Sequence, residues 1–247
     1  MQVVILCGGL GTRAYPYTQT MPKAMMTVDD CPVVEQVMRI YAAYGHREFI
    51  LSCGYLKESI IDYFRHAPSD WDVRCVDTGD ADTGDRVLRL RHLLAPKFHA
   101  TYCDGLGDVD LGALADFHAA HDGSATVTAG SLRSQYGLIY ADEGGQVSGF
   151  EEKPVLPGFW INVGFFVFDE SVFSHWRGQN LEREVLPGLA AVGQLRMYKH
   201  QGFWRSMDTY KDQQELNTLW APYAARLRDR VGEPAAAVLA AASSTVE

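Results

Sequence analysis

Residues 3–13, VVILCGGLGTR, place a five-residue apolar run directly before a glycine-rich loop. A short apolar run that ends at glycines predicts a buried strand followed by a tight turn. The pattern recurs: further runs typical of strands lie at 49–53, 73–76 and 99–103, with helical spacing between them at 33–44, 58–64 and 87–94. Because crossovers between such strands are right-handed, we expect an α/β fold with a doubly wound, mostly parallel, Rossmann-like sheet. Ligands of such sheets bind at the carboxyl ends of the strands.

The pattern changes after residue 122. Short strands with glycine-rich turns are expected at 125–129, 137–140, 146–150 and 163–168, and a helix at 208–219. We interpret residues 123–220 as a smaller mixed β region that covers one edge of the sheet and completes its pocket. Residues 221–247 are rich in alanine and predict a terminal helix and tail.

Composition excludes several classes of protein. The 247 residues include 31 acidic and 22 basic side chains, so the formal net charge is −9, with 47% hydrophobic residues. An acidic chain is a poor general binder of nucleic acid, and no apolar run reaches the roughly 20 residues that cross a bilayer. The five cysteines form no CxxC pair, and the N-terminal run lacks a basic leader. We therefore expect buried free thiols in a cytoplasmic protein that binds neither membrane nor nucleic acid.

The glycine loop is suited to an anion. Glycines let backbone amides approach a phosphate closely, and a following helix adds its positive dipole. The loop fits neither the GxxxxGK[ST] spacing of a P-loop nor the GxGxxG spacing of a dinucleotide-binding fold, which disfavours an oxidoreductase. Ten residues beyond Arg13, the turn Met21-Pro22-Lys23 presents a second cation. Two cations beside the loop suit a triphosphate, although Arg13 and Lys23 could equally form a solvated surface pair.

Taken in order, the motifs resemble those of the sugar-1-phosphate nucleotidylyltransferases. GGLGTR at 8–13 is followed by Pro22-Lys23, by Thr83-Gly84-Asp85-Arg86, by Tyr102-Cys103-Asp104-Gly105, by Glu152-Lys153-Pro154, by 161–166 (INVGFF), and by 202–204 (GFW) with 207–209 (MDT). The set is similar to the glucose-1-phosphate cytidylyltransferase branch and extends from residue 2 to about 220. The resemblance implies a nucleotidyltransferase domain at 1–220, with a nucleotide-binding half at 1–122 and a sugar-phosphate-binding half at 123–220.

The resemblance also implies roles for individual residues. Arg13 and Lys23 would be catalytic, and Asp104 and Asp208 would hold Mg²⁺. The nucleotide would be bound by Leu6, Gly8, Gly9, Gly11, Thr12, Thr83 and Gly84. The sugar phosphate would be bound by Gly137, Glu152, Lys153 and Asn162.

The implied reaction needs no dedicated base. A phosphate monoester has a second pKa of about 6, so a sugar-1-phosphate oxygen is already ionised when it attacks the α-phosphorus of a nucleoside triphosphate. Two polyanions must meet in line while charge shifts onto pyrophosphate, which calls for fixed cations and a hard divalent metal.

Structural roles remain open for several of these residues. Asp104 could be a turn or cap residue, and Asp208 could cap the helix that follows it. Asp108 and Asp110 are better explained as caps of a helix that begins at Leu111. The aromatic residues Phe165, Phe166, Phe203 and Trp204 are expected in the core or pocket wall.

Departures from the cytidylyltransferase pattern keep the substrate open. Residues 14–18 (AYPYT) resemble thymidylyl and adenylyl relatives, Ala24 replaces the second proline of a PKP turn, and Asp85 replaces a glycine near the expected base site. The stretch between Phe64 and Val76 is also shorter than in that branch. We expect CTP and glucose 1-phosphate as substrates and a homo-oligomer. The alternatives are another triphosphate, an unusual sugar or cyclitol phosphate, or a non-catalytic paralogue that senses nucleotide sugars.

Overall fold

The computed structural model describes residues 1–66 and 70–231. In chain order the strands are β1 (Gln2–Leu6), β2 (Thr27–Val28), β3 (Cys31–Pro32), β4 (Glu48–Cys53), β5 (Asp72–Asp77), β6 (Lys97–Tyr102), β7 (Gly105–Gly107), β8 (Ala125–Arg133), β9 (Leu138–Ala141), β10 (Val147–Glu151), β11 (Val155–Asp169), β12 (Leu195–His200) and β13 (Trp204–Ser206). The α-helices are α1 (Val33–Ala42), α2 (Lys57–His66), α3 (Thr83–Arg89), α4 (Leu111–Ala119), α5 (Val172–His175), α6 (Leu186–Ala191), α7 (Tyr210–Leu219) and α8 (Ala221–Val231). Short 3-10 turns at Thr12–Ala14, Tyr17–Gln19, Lys23–Met25 and Arg91–Leu93 and a π-helical turn at Leu181–Val185 complete the list.

A seven-stranded sheet in the order β12-β8-β11-β6-β1-β4-β5 forms the centre of the molecule. Strand β11 runs antiparallel to both of its neighbours, and the other four pairings are parallel. In this register Leu6 lies opposite Ser52 on one side and Tyr102 on the other. Because β1, β4 and β6 are parallel and in register, the loops that follow them leave the sheet at the same edge. The predicted α/β fold with a mostly parallel sheet is confirmed.

The alternation of side chains along β1 divides the core into two layers. Val3 and Ile5 pack with helix α1 on one face of the sheet, whereas Val4 and Leu6 pack with the apolar side of α3 on the other. Both faces of a parallel sheet are buried in this way, which explains the uninterrupted apolar run in the sequence. Helix α1 is buried along its whole length. The turn that follows it contains Gly45, whose φ of 84° is easily adopted only by glycine.

The region after residue 122 differs in detail from the expectation. Strands β8, β11 and β12 extend the main sheet, and β9 and β10 form a separate antiparallel hairpin. Helix α8 is present after residue 220, and the expected tail at 232–247 lies outside the described residues. Both parts of the chain therefore contribute strands to one sheet. No helix in the described ranges is long and apolar enough to cross a membrane.

Two helix boundaries bear on the site. The helix expected at 208–219 begins at Tyr210, because Thr209 accepts a hydrogen bond from the amide of Asp212 and the Asp212 side chain accepts one in return. Asp208 is therefore not the cap of α7. Asp110 caps α4, as expected, by accepting from the amide of Ala113. The helix expected at 87–94 begins earlier, at Thr83, and a 3-10 turn follows it.

The cysteines are all free thiols, and Cys75 alone among the five is not fully buried. Phe165 and Phe166 are fully buried, in opposite layers of the core, as expected.

Candidate active site

A cavity of about 550 Å³ opens at the carboxyl ends of β1 and β6. Its lining includes ten of the residues predicted for the site: Leu6, Gly8, Gly9, Gly11, Arg13, Lys23, Thr83, Asp104, Asn162 and Asp208. Among its other lining residues are four polar ones for which the sequence predicted no role in the site: Arg86, Tyr102, Glu182 and Ser206. The sheet edge thus brings together groups from both parts of the chain.

The glycine loop rests on a buried guanidinium group. Arg86 is only 4% exposed; its Nη2 donates to the carbonyl oxygen of Gly8 at 2.9 Å, and its Nη1 donates to the Thr78 hydroxyl at 2.7 Å. A Cβ atom on Gly8 would lie 1.8 Å from Arg86 Nη1, so only glycine fits there. Burial lowers the pKa of Arg86 from its ordinary value. No motif in the sequence connected Arg86 to the loop, since the two meet only after the chain folds back.

Lys23 lies between two carboxylates. Its Nζ is 2.6 Å from Asp104 Oδ2 and 2.9 Å from Asp208 Oδ1, and its side chain is only 10% exposed. Burial by itself would lower the pKa of Lys23, but the two carboxylates, Asp104 first, outweigh it and raise that pKa. The ammonium group is therefore firmly protonated.

Arg13 extends this chain of charges. Its Nη1 lies 2.9 Å from Asp208 Oδ2, and its side chain is 72% exposed at the mouth of the cavity. Burial raises the pKa of Asp208, but Lys23 and Arg13 outweigh that effect and lower it. Ser206 adds a hydroxyl hydrogen bond to Asp208 at 3.2 Å. The four groups Arg13, Asp208, Lys23 and Asp104 form one continuous line of alternating charge.

The local structure explains how these groups meet. Asp104 lies in the turn between β6 and β7. Its backbone oxygen accepts from the amide of Met207 at 2.9 Å, and this bond holds the Asp208 loop at the end of β6. Lys23 begins a 3-10 turn directly after Pro22. Pro22 is extended, with ψ at 146°, so the turn is presented at the sheet edge.

The two carboxylates fit a magnesium ion. Both reach the same ammonium nitrogen, so their oxygens lie close enough to share one cation. No group of three or more potential protein ligands occurs in the parts of the chain that the structure describes. Mg²⁺ characteristically takes one or two carboxylates and completes its octahedron with water and substrate phosphates. Asp104 and Asp208 are therefore the residues that would hold it.

A second polar network lines another part of the cavity. The Tyr102 hydroxyl donates to Glu182 Oε1, and the Thr83 hydroxyl donates to Glu182 Oε2 at 2.7 Å. Asn162 Nδ2 donates to the Tyr102 oxygen at 3.3 Å. Burial, followed by the nearby Glu182 carboxylate, raises the pKa of Tyr102, so the phenol stays protonated. In the sequence Glu182 lies in an acidic stretch that carries no motif.

Five predicted residues are not part of the cavity lining. Gly137, Glu152 and Lys153 lie around the exposed β9–β10 hairpin; a Cβ on Gly137 would lie 2.5 Å from the Phe150 ring. Thr12 begins a 3-10 turn beside the cavity. Gly84 packs against the backbone at Gln179, where a Cβ would lie 2.8 Å from the carbonyl oxygen.

Two further residues were expected near the ligand. The carboxylate of Asp85 pairs with Arg89 at 2.6 Å and is not in the cavity lining. Trp204 forms part of the wall, and its Nε1 is a buried donor that has no partner within the described structure. Trp204 thus offers a hydrogen bond, whereas Asp85 is engaged in an ion pair.

Comparison with known proteins finds several that are similar to this chain. The chain is 37% identical to glucose-1-phosphate cytidylyltransferase of Salmonella typhi over 247 residues, which covers 89% of this chain and 96% of that protein. It is 28% identical to mannose-1-phosphate guanyltransferase of Emericella nidulans over 225 residues, which covers 86% of this chain and 62% of the other. In fold it is similar to UDP-glucose pyrophosphorylase from Acinetobacter baumanii, with a TM-score of 0.71 and 20% identity over 92% of this chain and 95% of that one.

The family model for nucleotidyl transferases matches residues 2–209. That span contains the glycine loop, Lys23, both carboxylates and the whole Glu182 network. The chain belongs to the nucleotidyl transferase family.

Proposed function

We propose that this protein transfers the nucleotidyl group of a nucleoside triphosphate, CTP in preference, to glucose 1-phosphate and releases pyrophosphate. The observation that carries the proposal is the line Arg13–Asp208–Lys23–Asp104 beside the glycine loop. It places two fixed cations and two potential metal ligands where a triphosphate would enter. Membership of the nucleotidyl transferase family supports the same chemistry.

Each group has a chemical task in this reaction. The amides of the glycine loop and the exposed guanidinium of Arg13 bind the β- and γ-phosphates, and Lys23 neutralises charge at the α-phosphate. An ionised oxygen of the sugar phosphate attacks the α-phosphorus, and the bond from that phosphorus to the bridging oxygen of the β-phosphate breaks. The electron pair leaves with pyrophosphate, whose new charge Arg13 stabilises. When bound at Asp104 and Asp208, Mg²⁺ supplies Lewis-acid stabilisation of the phosphate oxygens.

The choice of substrates rests on two supports. The motifs at 83–86, 102–105 and 202–209 resemble the cytidylyltransferase branch, and the relative from Salmonella typhi carries that name. Thr83 and Gly84 are proposed to lie beside the base, and Asn162 is proposed to contact the sugar phosphate. Gly137, Glu152 and Lys153 are proposed sugar-phosphate ligands on the hairpin, which would have to approach the cavity to make that contact.

A substrate matrix tests the proposal. The common nucleoside triphosphates are each combined with a panel of sugar 1-phosphates, with Mg²⁺ present, and pyrophosphate release is measured. We expect release that depends on both substrates and is fastest with CTP and glucose 1-phosphate. Release without any sugar phosphate would exclude the transferase assignment. Fastest turnover with another pair would keep the reaction class and replace the substrates.

A further inference from the structure

Glu182 lies where three separate parts of the fold meet. It belongs to the π-helical turn Leu181–Val185, and its carboxylate contacts Thr83 at the start of α3 and Tyr102 at the end of β6. The three residues are far apart in sequence, and all three line the cavity. The contact therefore connects α3, β6 and the π-helical turn at the cavity wall.

On the Thr83 side, both functions of the hydroxyl are engaged. Thr83 Oγ1 accepts from the amide of Leu181 at 3.0 Å and donates to Glu182 Oε2 at 2.7 Å. With its donor and one acceptor position used, the hydroxyl has a fixed direction. The first turn of α3 is thereby held against the π-helical turn.

On the Tyr102 side, the chain of hydrogen bonds continues to Asn162. The phenol donates to Glu182 and accepts from Asn162 Nδ2 at 3.3 Å, while Asn162 Oδ1 accepts from the amide of Gly164 at 2.8 Å. These contacts determine the orientation of the Asn162 amide. Its second N–H hydrogen remains available, so this side chain presents a donor to an acceptor oxygen on a ligand.

A carboxylate at position 182 fixes which groups donate and which accept in this series of hydrogen bonds. An ionised carboxylate only accepts, so both the Thr83 and Tyr102 hydroxyls must donate to it. A glutamine of the same shape would place an NH₂ group against one of them and reverse that bond. Hydrogen bonds to charged groups are also roughly twice as strong as neutral ones.

We propose that Glu182 is a positioning residue that couples the two substrates: one carboxylate oxygen orients Thr83 toward the nucleotide, and the other orients Tyr102 and, through it, Asn162 toward the sugar phosphate. This coupling rests on the proposed function, which places the base near Thr83 and the sugar phosphate near Asn162. Glu182 acts through its neighbours and needs no contact with either substrate.

Steady-state kinetics of four variants test the coupling. Thr83→Val should raise the KM for the nucleotide alone, and Tyr102→Phe should raise the KM for the sugar phosphate alone. Glu182→Ala should raise both, each by about tenfold, which corresponds to about 1.4 kcal/mol. Arg183→Gln is the matched control, because Arg183 is exposed in the same turn and is not in the cavity lining; both KM values should stay at the wild-type level.

Two further measurements make the outcome decisive. In Glu182→Ala/Tyr102→Phe the KM for the sugar phosphate should rise no further than in Glu182→Ala, and Glu182→Gln should disturb one KM more than the other. A Glu182→Ala protein with one or no altered KM, or effects that simply add in the double variant, would overturn the proposal.

A spectroscopic readout separates this inference from the proposed function. The side-chain amide signals of Asn162 in ¹⁵N–¹H spectra, assigned by their loss in Asn162→Asp, should shift in Glu182→Ala and Tyr102→Phe but not in Arg183→Gln. If no substrate pair supports turnover in the wild-type protein, the proposed function fails while this spectrum still decides the hydrogen-bond chain. Unchanged Asn162 signals in Glu182→Ala would refute it.

Discussion

Replacing Lys23 with methionine tests the line of charges most directly. The substitution keeps an unbranched apolar stem and removes the ammonium group, so Asp104 and Asp208 lose the cation that they share. The two carboxylates are then left near each other in a half-buried setting. We expect the protein to fold but to be less stable when no metal is present.

The size of the effect follows from burial. Removing one partner of a fully buried ion pair costs about 3–5 kcal/mol. Here the side chains of Asp104 and Asp208 are 21% and 26% exposed, and Arg13 remains beside Asp208. We therefore expect the free energy of unfolding to fall by about 2–3 kcal/mol, which is less than for a fully buried pair because solvent and Arg13 screen the two carboxylates. For a chain of this length this corresponds to a decrease in Tm of about 4–12 °C.

Thermal unfolding followed by circular dichroism measures this decrease. In EDTA, Lys23→Met should melt well below the wild-type protein, and Mg²⁺ should restore part of the difference because it supplies positive charge to the same carboxylates. Lys57→Met is the matched control. Lys57 pairs with Asp77, but the two side chains are 33% and 45% exposed, so solvent screens the pair and its removal should change the Tm little.

The reasoning would be refuted by a Lys23→Met protein whose Tm, in neutral buffer with EDTA, lies within about 2 °C of the wild-type value. It would mean that the carboxylates do not depend on Lys23 for their charge balance. The double variant Lys23→Met/Asp208→Asn provides a second check, since removing one of the two negative charges should recover stability. A double variant less stable than Lys23→Met would also contradict the electrostatic argument.

Three shorter predictions concern other groups. Asp104→Asn should reduce turnover at least about 100-fold in the pyrophosphate assay, and near-normal turnover would exclude a role in charge stabilisation. Gly8→Ala should lower stability by about 1–3 kcal/mol because the methyl group collides with Arg86, 1.8 Å away, whereas Gly9→Ala, which meets nothing within 4 Å, should melt like wild type. Burial, and then the neighbouring His46, lower the pKa of His99 to about 3, below its unfolded value of about 6.5. The neutral form is therefore favoured by folding, and the stability that it contributes is present above about pH 6.5 and is lost as the pH falls from there toward 3. His99→Leu should weaken this dependence of Tm on acid pH. If Tm fell with pH in the variant as it does in the wild-type protein, His99 would not be the group responsible.

The local order of elements could be predicted from the sequence. The run Val3–Leu6 and the glycines after it predicted a buried strand followed by a tight loop, and both are present, with the loop in the cavity lining. Anion binding by that loop stays a prediction. The capping role of Asp110 was predicted as well. These features depend on neighbours within a few residues, so spacing and residue type are enough to identify them. Arg13 and Lys23 were noted as cations beside the glycine loop, whereas their catalytic roles and the metal roles of Asp104 and Asp208 came from resemblance to a family.

Contacts across the sheet were decided by the tertiary structure alone. Arg86 beneath Gly8, and Glu182 between Thr83 and Tyr102, depend on the strand order β11-β6-β1-β4-β5 and on the packing of α3 against the π-helical turn. The sequence by itself determined most strands and helices of the first 122 residues, because hydrophobic periodicity is a local property. It did not predict β12, β13, α5 or α6. Which charges meet was determined by the tertiary structure. It brings Asp104 and Asp208, which are 81 and 185 positions from Lys23 in the sequence, within hydrogen-bond distance of the Lys23 ammonium group.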